Sequence, residues 1–190
     1  MAENVFKTVT IREGDDIKAQ QWYKNEVNRF SRNGGSTQLP TSIKTVNRVQ
    51  PGQMYLFIYD PKYKDKLPYY DAAPLVLPFR MLPDGFLGIN IHYLPHIARF
   101  NLLGELSKLV INTSITDDTR IRLSWQILNS SSRFLGATSC VKHYLSAHVR
   151  SSFLRIGFND WKTAAMLPVE KFKKGRKQTA WKDNSKKYGL

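Results

Sequence analysis

"PLVLPFRMLPDGFLGINIHYLP", residues 74–95, decides the kind of fold this chain builds. Two apolar runs, LVLPFRM and FLGINIHYL, flank the tetrapeptide LPDG. Pro83 presets φ, Asp84 closes on its own backbone, and Gly85 is expected to supply a positive φ, so LPDG reads as a turn. The flanking runs then read as antiparallel strands of one hairpin. Pro78 has no N–H for a ladder, which places it at a sheet edge or a bulge. Gly88 in the returning strand marks a bulge or a close backbone approach. Asn90 and His92 also suit an active-site loop. Hairpin geometry already accounts for the glycine, so His92 is read as a structural residue at a strand end with a backbone partner.

Outward from the hairpin, IKTVNRV (43–49) and QMYLFIYD (53–60) read as strands on either side of a QPG turn. Residues 15–32 read as an amphipathic helix with Ala19, Trp22, Tyr23, Val27 and Phe30 on one face, stopped by NGG at 33–35. PKYKDKLPYYDAAP (61–74) reads as an exposed loop whose aspartates cap turns. After the hairpin, residues 95–110 read as a helix with Ile97, Phe100, Leu103, Leu106 and Val110 in one stripe. Residues 119–134 fit a strand by alternation but a helix by the Asp117-Asp118 start, and the helix is preferred. SCVKHYLSAHVRSSF (139–153) reads as a helix, LRIGF (154–158) as a short strand, and NDWKTAAML (159–167) as a short helix capped by Asn159. The fold expected is α+β: a single domain, a partly antiparallel sheet with packed helices, and a basic C-terminal tail. The chain divides into an N-terminal helix and loop (1–42), a core (43–170) and the tail (171–190).

With 42% hydrophobic residues in 190, the chain can bury a core. Its longest apolar runs fall far short of the roughly 20 residues that a membrane span needs. The N-terminal residues carry no basic-then-apolar pattern, so no secretion signal is expected. Cys140 stands alone and predicts no internal disulfide. Charge is the most telling bulk property. A net +14 attracts polyanions, nucleic acid foremost. Residues 171–190 hold eight Lys/Arg against Asp183 alone, half of that excess.

Residue patterns for chemistry are weak. His92 and His96 have the spacing of a helical metal pair, but Pro95 between them breaks the helix. His143 and His148 are five apart, on different faces of the expected helix. No GxSxG, GxxxxGKS or GxGxxG motif occurs. Asp60, Asp65, Asp71 and Asp84 cluster near lysines, yet without the compact acid pair of a metal-dependent nuclease. The expectation is no catalytic residue, no metal, no cofactor and no enzyme.

Interleaved cations and aromatics are the positive signal, since Lys and Arg neutralise phosphates and aromatic faces stack on exposed bases. They occur at Lys62, Lys64, Lys66 and Tyr69, and again at Lys171, Lys173, Lys174, Arg176, Lys177, Trp181, Lys182, Lys186 and Lys187. Arg150 and Arg155 flank SSFL between them. These are the candidate DNA-binding residues. No helix-turn-helix, zinc finger or RNP signature predicts base-specific reading.

The segments GQMYLFIYDPKYKDKLPYYDAAPLVLPF, DGFLGINIHYLP, CVKHYLSAHVRSSFLRI, DWKTAAMLPVEKFKK and WKDNSKK resemble the DNA end protector proteins of T-even-type tailed phages. The resemblance covers about residues 51–187. It implies a virion protein that sits on the ends of packaged linear duplex DNA. It implies entry with the genome into the host cytoplasm and the exclusion of host exonuclease, without cofactor. Double-stranded DNA ends are then the main partner, with phage head, portal or tail proteins beside them and no membrane. A structural virion protein at the head-tail connector or baseplate is the alternative that the charge also fits.

Overall fold

The computed structural model describes residues 44–95, 140–167 and 169–188, together with 25, 98, 99, 102–104, 106 and 126. The fold is α+β, built on an antiparallel sheet. Its strands are β1 (Lys44–Val46), β2 (Met54–Leu56), β3 (Tyr70–Asp71), β4 (Leu75–Leu82), β5 (Gly85–Asn90), β6 (Val141–Leu145), β7 (Phe153–Ile156) and β8 (Phe172–Lys173). Six of them form one sheet in the order β1-β7-β2-β4-β5-β6, and β3 pairs with β8 in a second, two-stranded sheet. Helices α1 (Trp161–Met166) and α2 (Lys177–Tyr188) follow late in the chain.

The hairpin of residues 75–90 is present, with Leu82 opposite Gly85 across the turn and Val76 opposite Asn90. Pro78 sits where the register slips between Pro78 and Arg80, so the bulge absorbs the missing N–H. Gly88 stands opposite Pro78, and a Cβ there would strike the Val76 side chain. Gly85 has a different reason from the expected one. Gly52 (φ 81°) is the one glycine at positive φ among the described residues. Gly85 is required because a Cβ would collide with the Tyr144 carbonyl on β6.

Alternation along the strands buries both faces of the sheet. Met54, Leu56, Leu75, Leu77, Ile89, Leu154 and Ile156 face Leu102, Leu106, Trp161 and Ala164 of the helical side. Tyr55, Phe57, Val76, Phe86, Tyr144 and Phe153 form the other face. There Phe57 meets Tyr144 at 5.2 Å and Phe153 at 5.0 Å, both edge to face, a geometry favoured by the ring quadrupoles.

Three expectations need correcting. The segment expected as a helix over 139–153 is, in its described residues 140–153, β6 followed by a 3-10 turn at Ser146–His148 and the start of β7. Tyr144 is buried opposite Phe86, and that cross-strand packing overrides the local pattern. In the segment 61–74, Tyr70 and Asp71 leave the loop to pair with Phe172 and Lys173, and Asp71 is buried. The N-cap position of the helix expected after Asn159 falls one residue later, to Asp160, without a side-chain cap bond. Asn159 itself lies within a 3-10 turn at Phe158–Asp160. The helix expected over 15–32 lies outside the described residues save Asn25, and that over 119–134 save Gln126; both of these are helical.

Candidate nucleic-acid interface

Asp71 is the keystone of the region. Its Oδ1 accepts from the amides of Ala73 and Lys171, both at 3.1 Å. Its Oδ2 accepts from His92 Nδ1 at 2.6 Å and Asn90 Nδ2 at 3.3 Å. Burial works to raise the Asp71 pKa, but the His92 charge and the donors around it prevail and hold the carboxyl below its ordinary range. His92 sits just past the end of β5, as expected, but its ring partner is the buried Asp71 carboxylate and not the backbone group that the sequence suggested. The backbone contact comes through its carbonyl, which accepts from Trp181 Nε1 at 2.8 Å and Arg99 Nη2 at 3.2 Å.

Arg99 is buried and also donates to the carbonyls of Leu94 and Ala165. Burial pushes its pKa down to about 10, which leaves it cationic at neutral pH. The guanidinium lies 5.3 Å from the Trp181 ring centroid. Trp181 is therefore a tertiary anchor of α2 against the 3-10 turn Ile91–Tyr93. That role has no sequence signature, because neither partner is near it in the chain.

The two basic-aromatic segments meet in space. β3 pairs with β8, Lys174 Nζ donates to the Asp65 carbonyl at 2.8 Å, and the Tyr69 hydroxyl donates to Asp183 at 2.7 Å. Lys174 has φ 61°, a left-handed backbone that non-glycine residues adopt at some cost. The cations then separate by environment. Lys62, Lys66, Lys173, Arg176 and Lys182 are exposed. Lys64 is paired with Asp60 at 2.9 Å, and that hydrogen bond holds the Asp60 carboxyl below its ordinary range. Arg150 is exposed and reaches the same Asp60 at 3.9 Å. Lys177 is paired with Glu170 at 2.7 Å, while Lys171 contributes its backbone to Asp71. Arg155 lies apart on β7, between Lys44 and Tyr55 in register. Lys186 and Lys187 belong to the last turns of α2.

Between the loop 61–70 and the edge strand β6 lies a cleft of about 470 Å³. The loop contributes Lys62, Tyr63, Leu67, Tyr69 and Tyr70; β6 contributes Lys142, His143, Tyr144 and Leu145; Tyr59, Asp71, Asn90 and Tyr93 complete it. Lys142 Nζ lies 4.3 Å from the Tyr93 ring centroid. Asp84 at the edge is paired with His143 Nε2 at 3.0 Å. Burial raises the phenols of Tyr59, Tyr93 and Tyr144, so these rings stay neutral. Lys142, His143 and Tyr144 escape sequence reasoning because β6 reads as a helix there. Over five residues the two periods do not separate.

The acids do not converge. Asp60, Asp71 and Asp84 each face a cation or an imidazole, and no group of three or more His, Cys, Asp or Glu among the described residues is arranged to hold a metal ion. No helix among the described residues is long and apolar enough to cross a membrane. An aromatic cleft with Lys62 on one wall and Lys142 on the other, on an α+β scaffold of net charge +14, is of the class suited to a polyanionic partner. The chain belongs to the family described as Phage T4 terminal DNA protecting protein, whose model matches residues 7–187. No curated protein and no solved structure matches it.

Proposed function

We propose that this protein caps the ends of linear double-stranded phage DNA and, without catalysing a reaction, keeps host exonuclease from loading after the genome enters the cell. It would travel in the virion and act in the host cytoplasm. One observation carries the reading: Lys62–Tyr70 and Lys171–Lys182, far apart in sequence, are joined through β3 and β8 into one cationic and aromatic region. Blocking a nuclease needs occupancy of the terminus, for which phosphate contacts and stacking suffice without base readout. Lys62, Lys66, Lys173, Arg176 and Lys182 are the principal phosphate contacts in this reading. Stacking passes from Trp181, held by the His92 carbonyl, to Tyr63, which is 58% exposed.

The test compares a linear duplex with a closed circle of the same sequence at one salt concentration, then measures digestion of the linear form by a helicase-nuclease. Tighter binding to the linear form, with slower digestion, is expected. Equal affinity for both forms, with a stable ring or stoichiometric binding to a portal, would favour a connector protein instead.

A further inference from the structure

We propose that the cleft between loop 61–70 and β6 receives one unpaired terminal nucleotide, so that the protein recognises a frayed DNA end rather than a closed base pair. The inference rests on the end-capping reading and adds to it what the protein holds at the terminus. At about 470 Å³ the cleft falls in the range of small-ligand sites, roughly 300–1,000 Å³, and suits a single nucleotide. Enzymes that handle a base outside the stack enclose it between aromatic and apolar side chains, and unpairing is least costly where the base is already unpaired.

The composition of the walls matches that occupant. Tyr63, 58% exposed, offers a free ring face, the packed rings of Tyr69 and Tyr93 back the wall, and Lys62 and Lys142 bring positive charge to the phosphate. Neutral phenols add no phenolate to repel it. The two carboxylates on the lining are both engaged: Asp71 accepts four hydrogen bonds, and Asp84 is paired with His143. Both carboxylates are therefore held by donors of the protein rather than turned free into the cleft. Among the described residues β6 is the last strand of the sheet, and it forms the wall of the cleft opposite the loop.

The experiment uses the full chain and three DNAs of one sequence: a duplex closed by hairpin loops at both ends, a duplex with one blunt end, and a duplex with a single unpaired nucleotide at that end. The unpaired end should bind more tightly than the blunt end, and the blunt end more tightly than the closed duplex. Tyr63→Ala and Lys142→Ala should erase the advantage of the unpaired end, and Tyr63→Phe should restore it. A stacked base corresponds to roughly 5- to 150-fold in affinity. Because Tyr63 is exposed, its truncation leaves the core untouched. Equal affinity of the wild type for blunt and unpaired ends overturns the inference while capping stands, as does an advantage that survives both alanine variants. Failure of the wild type to prefer either open end over the closed duplex overturns the capping reading itself.

Discussion

Asp71 shows how much of this fold hangs on one carboxylate. Four donors from residues 73, 90, 92 and 171 converge on it, so it ties β3, β5 and the start of β8 together. Removing one partner of a buried ion pair typically costs about 3–5 kcal/mol, and Asp71→Ala should lower unfolding stability in urea by that order. The pH dependence follows from the direction of its shift. The folded state holds the carboxyl below the ordinary 3.8, so the unfolded chain binds more protons in acid. The stability is complete above that value and drains away as pH falls through the depressed one. Asp71→Asn should therefore flatten the acid limb of a stability-pH curve, and an unchanged limb would show that other carboxylates set it. Lys174 supplies a second test at this scale. Its left-handed φ makes Lys174→Gly neutral to stabilising by about 1 kcal/mol, even with the bond to Asp65 lost. A clear drop in melting temperature would mean that this bond outweighs the backbone strain.

At the scale of elements, the hairpin was legible because its signals are local. Turn chemistry, a proline without a donor and two flanking apolar runs lie within residues 74–95, and the register of β4 on β5 follows from them. β6 was not legible, because its strand state comes from pairing with β5 across 52 to 60 residues and from burying Tyr144 among Phe57 and Phe86. The same limit hid half of the cleft: its loop wall announces itself as lysines and tyrosines, its β6 wall does not. Nor could composition show that Lys177–Tyr188 is a helix docked on the 3-10 turn Ile91–Tyr93 rather than a solvated extension. That docking depends on Trp181. Its truncation removes a hydrogen bond to the His92 carbonyl and the ring against Arg99, so Trp181→Ala should cost about 1–3 kcal/mol. Amide exchange over residues 177–188 should accelerate ahead of exchange in β4 and β5. Protection unchanged in the helix would show that Ala180, buried beside it, suffices as the anchor.

Over the whole molecule, the excess of +14 becomes a measurable salt dependence. Each phosphate neutralised on duplex DNA contributes about 0.9 to the slope of log K against log salt. Deleting residues 171–190 would be a poor probe, since it removes β8 and α2 from the fold as well as their charge. Neutralising exposed side chains separates the two effects. Lys66, Lys173, Arg176 and Lys182 are exposed, so their joint change to Gln should leave unfolding stability nearly intact. If all four meet phosphates, the slope should become shallower by roughly 3–4. Lys64 and Lys177 serve as contrasts, because Asp60 and Glu170 already offset their charge and their loss should change the slope less. Arg155 gives the geometric control. It lies on β7 beside Lys44 and Tyr55, with β2, β4 and β5 between it and β6. Arg155→Gln should leave the slope within error if DNA engages only the cleft side. A loss of about 0.9 would instead carry the duplex across the sheet to the β1–β7 edge, and the interface would then have to wrap the molecule rather than meet it at one face.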